Sequence, residues 1–268
     1  MGVPFQPRKR WGQHFLIDPN IARKIVEALQ AAPEDPVIEI GPGTGALTGL
    51  LVQRYPQLTA IELDPRAIAA LKARWPFLDV RHLDVLEVNW SALAAEKGSR
   101  LHVIGNLPYY ITSPILFALL DARDALDEAV LMLQREVAER LVALPNSKTY
   151  GILSVVAQLW ATPEWLFSVS RHVFRPKPQV ESAVVRLTFA RPLPQVDLNL
   201  LRLLIRAAFN QRRKTLRNSL RRLLHPELEL PEPWMQRRAE TLTPTDYVEL
   251  TRWLQKYGIQ PTDLQKIL

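Results

Sequence analysis

The chain has 268 residues, enough for one large domain or one large and one small at roughly 100–200 residues each, and its 47% hydrophobic and 23% charged content excludes a disordered or collagen-like chain. Cysteine is absent, which excludes disulfides, thiolate metal sites and a cysteine nucleophile. Lys plus Arg number 34 against 27 Asp plus Glu, and the resulting +7 points to a polyanionic partner.

Residues 1–24 hold five basic residues, Arg8, Lys9 and Arg10 among them, and one acid. The segment runs into no apolar stretch, so it does not read as a secretory signal. No run of about 18 apolar residues exists to span a membrane. The expected location is the cytoplasm. Residues 25–196 carry a net −2 and residues 197–268 a net +5. The surplus thus sits at the two ends, as expected of arms or a platform for a phosphate backbone.

Val37–Ile40, Leu58–Leu63, Val80–Leu83, Leu101–Gly105 and Ala129–Leu133 read as strands. Helical patterns fall between the early ones at Ala46–Arg54, Arg66–Arg74 and Pro114–Asp121. That rhythm predicts an α/β fold, a parallel sheet with helices on both faces. Leu166–Val169 and Val184–Phe189, joined through Pro176 and Pro178, predict an antiparallel hairpin at the sheet edge. Arg191–Asp197 reads as a linker. After it the pattern is helical, with Leu200, Leu203, Leu204 and Ala207 on one face and a further helix over Asp246–Tyr257. The expected organisation is a basic segment over 1–24, an α/β domain over 25–190 and a small all-α domain over 198–268.

Val37–Ile40 runs into Gly41-Pro42-Gly43-Thr44-Gly45 and then a helix. Glycines suit a tight strand-to-helix turn that a ligand must approach without meeting a Cβ. Gly41, Gly43 and Ala46 also satisfy the pattern of dinucleotide-binding loops. Glu62 ends the next strand, where an acid accepts hydrogen bonds from a ribose diol. Asp84, followed by Val85, ends the third and suits an adenine amino group. Three consecutive strand ends thus describe a nucleoside pocket at the carboxyl edge of the sheet. Glu39, inside an apolar strand, needs a partner if buried. Acid-x-Gly-x-Gly-x-Gly is similar to the loop of S-adenosylmethionine (SAM) methyltransferases, so a Rossmann-like sheet of their class I type is expected.

The fourth strand ends in Asn106-Leu107-Pro108-Tyr109, which resembles the motif of amino methyltransferases acting on planar nitrogens. An exocyclic amine gives its lone pair to the ring and is a poor nucleophile. Carbonyls from the Asn106 side chain and the Leu107 backbone would accept its N–H groups and localise that pair. Pro108 fixes the backbone and removes a competing donor. Tyr109 offers a face on which an unstacked base can lie.

Together with Gly12–Leu16, Phe174–Ser182 and Phe209–Leu216, these motifs make nearly the whole chain resemble the small-subunit (16S) rRNA adenine N6,N6-dimethyltransferases. The resemblance implies that Gly41, Glu62 and Asp84 hold SAM, with Asn106 shared between cofactor and target. It implies that His14 and Leu16 close over the cofactor, and that Phe174 stacks on the target adenine opposite Tyr109. The implied product beside methylated RNA is S-adenosylhomocysteine. Many relatives carry Asn where this chain has His14. No metal is implied, and a monomer is the default.

Asn210–Arg222 holds six basic residues and no acid. Read as one helix, it places Arg213, Arg217 and Arg221 on one face and Leu216, Leu220 and Leu224 on another. Arg212 and Lys214 add to the charge. This helix is expected to meet the RNA backbone, with Arg8, Lys9 and Arg10 as a second contact. A methylase of large-subunit rRNA, a nucleic-acid-binding assembly factor and a nicotinamide-dependent dehydrogenase are the competing readings.

Overall fold

The computed structural model describes residues 13–189, 192–221 and 230–265. Its strands are β1 (Phe15–Leu16), β2 (Val37–Ile40), β3 (Thr59–Glu62), β4 (Asp79–His82), β5 (Leu101–Asn106), β6 (Leu126–Gln134), β7 (Thr162–Val169), β8 (Phe174–Arg175) and β9 (Ser182–Thr188). Its helices are α1 (Pro19–Glu27), α2 (Thr48–Arg54), α3 (Pro65–Arg74), α4 (Trp90–Lys97), α5 (Thr112–Asp121), α6 (Arg135–Leu141), α7 (Ile152–Trp160), α8 (Leu198–Asn210), α9 (Leu216–Ser219), α10 (Glu232–Met235), α11 (Pro244–Lys256) and α12 (Pro261–Gln265). The chain divides into two units, Met1–Ala138 with Ala161–Ala190, and Glu139–Trp160 with Arg191–Leu268.

The first unit holds a seven-stranded sheet in the order β4-β3-β2-β5-β6-β9-β7. Neighbours from β4 to β6 run parallel, and β9 is antiparallel to both β6 and β7. β2 and β3 are buried along their whole length, as expected of parallel strands with both faces covered. Glu39, Ile104, Val130, Met132 and Val184 share one face; all but Glu39 belong to a core with Ile25 and Leu29 from the α1 side and Leu51 from α2. Val103, Leu131 and Val185 alternate to the other face and are equally buried. The α/β sheet is thus the one the sequence predicts, and the terminal β7–β9 pair is antiparallel. The free edge of β4 is guarded by Arg81, which pairs with Asp79 and Glu96, and by Lys97 on Asp79.

Two elements of this unit lie outside the strand-and-helix rhythm. β1 pairs antiparallel with β8, Leu16 opposite Phe174. α1 is capped by Asp18, whose carboxylate accepts from Asn20 and Ile21 amides, and continues past residue 24. The boundary read after residue 24 therefore falls inside a helix. Residues Arg8, Lys9 and Arg10 lie outside the described residues.

The second unit takes in residues 139–160, which the sequence reading placed with the sheet. Seven of the nine residues of α7 are buried, and its sequence, apolar apart from Ser154 and Gln158, reads as easily as a strand. It packs on α8 and α11. Tyr150 donates to the Leu242 carbonyl, and the Phe209 ring lies 6.2 Å from both Tyr150 and Tyr247. The Thr243–Asp246 capping box starts α11 where the sequence predicts a helix. The single basic helix expected over 210–222 is not formed. α8 ends at Asn210, a turn follows, and α9 is four residues long. Thr215 bridges to Arg238 and the Leu216 amide donates to the Arg237 carbonyl, so tertiary pairing overrides the helical period.

At the amino edge of the sheet His102 is buried among three acids. Its ring nitrogens lie 3.0 Å from Glu128, 3.4 Å from Asp35 and 3.8 Å from Asp127. Burial alone would lower its pKa, but the Glu128 hydrogen bond and the three carboxylates outweigh it and raise it. A raised folded-state pKa gives stability that is complete below the unfolded value and is lost as pH rises through the folded value. Urea unfolding of the wild type and His102→Gln should show the larger gap at about pH 5.5 and a smaller one at about pH 9. An equal gap at both would show that the imidazolium adds nothing.

Candidate functional site

The carboxyl ends of β2, β3 and β5 and the turn after β4 open onto one cleft. This is where strand order reverses, with β3 on one side of β2 and β5 on the other. Counted together with the solvent at its open mouth, the cleft encloses about 800 Å³. His14, Gly41, Gly43, Glu62, Asp84, Val85 and Asn106–Tyr109 all line it.

The glycine loop is shaped by its backbone. Gly41 and Gly43 have φ of +62° and +54°, a region that favours glycine. A Cβ on Gly41 would meet nothing within 4 Å, whereas one on Gly43 would come within 2.9 Å of the Phe15 ring. Glu62 fixes the loop. One carboxylate oxygen accepts from the Gly43 amide at 3.0 Å, and the other from the Leu63 and Asp64 amides at 2.8 Å each. Burial raises the Glu62 pKa against the pull of those three bonds. Asp84 accepts from the Leu86 amide and so starts the turn Val85–Glu87.

Across the cleft, the Asn106 side-chain amide donates to the His14 carbonyl at 3.0 Å. The Tyr109 hydroxyl is 2.7 Å from Ser182 Oγ, which anchors the ring to β9. The His14 ring stacks on Tyr109 at 5.3 Å and 28°, and its Nδ1 lies 2.7 Å from the Pro176 carbonyl. Leu107 is buried, and its amide continues the ladder to Met132.

Residues 4–256 match the family described as Ribosomal RNA adenine dimethylase. The chain belongs to that family. It is 52% identical over 261 residues to a ribosomal RNA small subunit methyltransferase A of Salinibacter ruber, covering 96% of this chain and 88% of the relative. A protein of the same name from Chlorobium chlorochromatii is 48% identical over 243 residues, 91% of this chain and 92% of the relative. A dimethyladenosine transferase from Plasmodium falciparum superposes with a TM-score of 0.79 at 26% identity, covering 92% of this chain and 99% of the other. The 23S rRNA methyltransferase ErmE gives 0.67 at 27% identity, covering 90% and 99%. The protein is thus an rRNA adenine-methylating enzyme on a class I methyltransferase sheet.

In this family member several expected site residues lie elsewhere. Phe174 does not line the cleft: it is 2% exposed, packed in the core beneath β1, and no base can stack on it in this arrangement. The ring against Tyr109 is that of His14 instead. Leu16 is buried opposite Phe174. Gly45 packs on α3's end, where a Cβ would sit 2.7 Å from Trp75. Glu39 is 1% exposed and accepts from Thr48 Oγ1 at 2.7 Å. It lines a small adjoining cavity with Phe15, Leu16 and Asn106. Arg212 is committed to structure, donating to the Ser147 and Lys148 carbonyls and pairing with Glu240. Arg213, Lys214, Arg217 and Arg221 are exposed and make no ion pair among the described residues. Leu63, Gln13, Tyr110 and Ser182 were missed. Gln13 and Ser182 lie in the segments that carry the family resemblance, without a role assigned to them, and Leu63 and Tyr110 are marked only by adjacency to Glu62 and Tyr109.

Burial pushes the Glu39 carboxyl up to about 8, with the Glu62 charge adding to it and the Thr48 bond opposing. Glu39 is therefore neutral at pH 7. A raised acid destabilises the fold progressively from its unfolded value of about 4.3 up to its folded value. Glu39→Gln keeps the acceptor for Thr48 and does not titrate. Its thermal stability should gain on the wild type as pH rises from about 5 to about 8 and hold level beyond. A parallel pH course for both proteins would show that Glu39 is ionised when folded.

Proposed function

We propose that the chain transfers methyl groups from SAM to N6 of two adjacent adenosines near the 3′ end of 16S rRNA. Each is dimethylated, in the cytoplasm, during late small-subunit assembly, and S-adenosylhomocysteine is the second product. The observation that carries this reading is one cleft lined on one side by a glycine loop with Glu62 and Asp84, and on the other by Asn106–Tyr109. The fit to SAM rests on the loop. Gly41 leaves open space where a Cβ would stand, and acids follow at the next two strand ends. Gly41, Gly43, Glu62, Asp84 and Val85 would hold the nucleoside, and Glu39 and Leu16 flank the small cavity suited to its amino-acid end. When bound, SAM supplies an electrophilic methyl on a sulfonium.

The chain supplies position. With Nδ2 of Asn106 committed to His14, Oδ1 is the atom left to accept an N–H from the target amine. The Leu107 carbonyl would accept the other. Neither needs to take up a proton: the nitrogen becomes cationic and strongly acidic once methylated and loses its proton to water as S-adenosylhomocysteine is left behind. Alignment of amine and methyl then supplies most of the rate. The Tyr109 ring, held by Ser182, offers its face to the base, and the His14 ring now lying there must yield. Repeat methylation requires that one N–H contact be dispensable for binding.

The second unit, residues 198–268 with 139–160, is proposed to grip RNA. Arg213, Lys214, Arg217 and Arg221 are its exposed cations, and Arg8, Lys9 and Arg10 a further set. Alanine at Arg213, Lys214 and Arg217 together should weaken subunit binding and flatten its salt dependence, each lost phosphate contact removing roughly 0.7–0.9 from the log–log slope. An unchanged slope would remove this surface from the RNA.

Labelled methyl transfer to immature small subunits tests the reaction directly. Wild type should label them and leave large-subunit RNA unlabelled; the reverse would assign the large subunit instead. Asn106→Ala should retain SAM binding and lose at least about 100-fold in turnover. Glu62→Ala should weaken SAM affinity in calorimetry, and equal affinity would remove Glu62 from the cofactor site.

A further inference from the structure

Four aromatic side chains line the cleft, and three are engaged. Phe15 lies against the glycine loop, 2.9 Å from where a Cβ on Gly43 would be. His14 and Tyr109 stack on each other. The fourth, Tyr110, sits one residue beyond the motif, on the turn Tyr109–Ile111, and is 54% exposed. A large ring left this open adds little to the core and presents its face for contact. Its hydroxyl feels the charges of Asp84 and Glu62, which with partial burial raise its pKa. The ring lines the same cleft as the two strand ends that carry these acids. The apolar residues at those ends are Leu63, itself 42% exposed, with Ile61, Leu83 and Val85.

A nucleoside has polar edges and an apolar face. Glu62 and Asp84 suit the edges, and neither can cover the face. We propose that Tyr110 is a cofactor-binding residue that closes over the adenosyl half of SAM, its ring covering the nucleoside that Glu62 and Asp84 hold. The proposal rests on the reading of the cleft as a SAM site and adds to it a residue that sets cofactor affinity. Cover of this kind acts on the bound nucleoside and leaves the reacting methyl and amine untouched. It should therefore show in binding and in KM for SAM while kcat stays level.

The test is calorimetry with SAM and with adenosine alone, on Tyr110→Ala and Tyr110→Phe, beside methyl-transfer kinetics on immature small subunits. Tyr110→Ala should lose roughly tenfold in affinity for SAM and by the same factor for adenosine. Its kcat at saturating SAM and its KM for the subunit should stay within about twofold of wild type. Tyr110→Phe should keep most of the affinity, since the face and not the hydroxyl does the covering. Because Tyr110 is exposed, truncation should leave the thermal midpoint near that of wild type. Unchanged SAM and adenosine affinity in Tyr110→Ala overturns the proposal. So does a raised KM for the subunit with SAM affinity intact, which would turn the ring toward RNA. Glu62→Ala run in parallel separates the two levels. If it also leaves SAM affinity unchanged, the cofactor reading fails; if it alone weakens binding, only the role of Tyr110 fails.

Discussion

The carboxylate of Glu62 is the interaction on which the cleft depends. It is 9% exposed and takes three backbone amides, from Gly43, Leu63 and Asp64. Those bonds tie the loop after β2 to the turn after β3, which no strand pairing does. They also set the start of α3, because Asp64 caps it through the Arg66 amide. Asp64 in turn accepts from Gln13 at 3.2 Å, one residue before His14, whose carbonyl holds Asn106. A single chain of polar contacts thus runs from the glycine loop, through the second strand end of the site and the segment before β1, to the motif at the fourth. A buried carboxylate without these donors would cost several kcal/mol. With them, part of that cost is returned, although burial still raises the Glu62 pKa.

The floor and the cover of the site are built differently. The floor is made of strand ends in a sheet buried on both faces, and their register leaves little freedom. The cover is β1, two residues long, paired only with the two residues of β8. It nevertheless reaches both halves of the cleft, with Phe15 against Gly43 and His14 against Asn106 and Tyr109. So small an element has few backbone bonds to lose; Leu16 lies opposite the buried Phe174, and His14, the residue before β1, stacks on Tyr109.

The sequence made most of the first unit legible because of how parallel sheets bury. Strands covered on both faces read as unbroken apolar runs, and Val37–Ile40 is recovered at both ends. The residues just past such runs, Gly41, Glu62, Asp84 and Asn106, then fall at one edge by topology alone. What failed was what topology does not dictate. β1 and β8 are too short to carry a period. The nearly all-apolar α7 has no polar face to betray a helix, and it belongs to the second unit. Arg212 looked like part of a cationic face, yet it is used to clamp the 147–148 carbonyls. Helical spacing carried through Gln211–Thr215 could not foresee the bridge from Thr215 to Arg238. Phe174 was placed by likeness to a family, and its burial beneath β1 is a fact of tertiary packing that no local pattern encodes.

The same principle of neighbouring charges governs the two buried acids. The Glu62 charge disfavours ionisation of Glu39, and burial acts on both in the same sense. Three amides favour the charge on Glu62, while Glu39 has the Thr48 side-chain bond and the weaker pull of the Thr48 amide. The pair therefore resolves unequally, with the negative charge favoured at Glu62 and a neutral carboxylic acid beside Asn106 and Leu16. A neutral Glu39 tolerates its apolar strand without the cost that a second unpaired carboxylate would carry. It also keeps charge in reserve: a cationic group arriving in the small cavity would favour the ionised form and lower its pKa again. The acid two residues before the first glycine is thereby compatible both with its apolar strand and with a positively charged ligand.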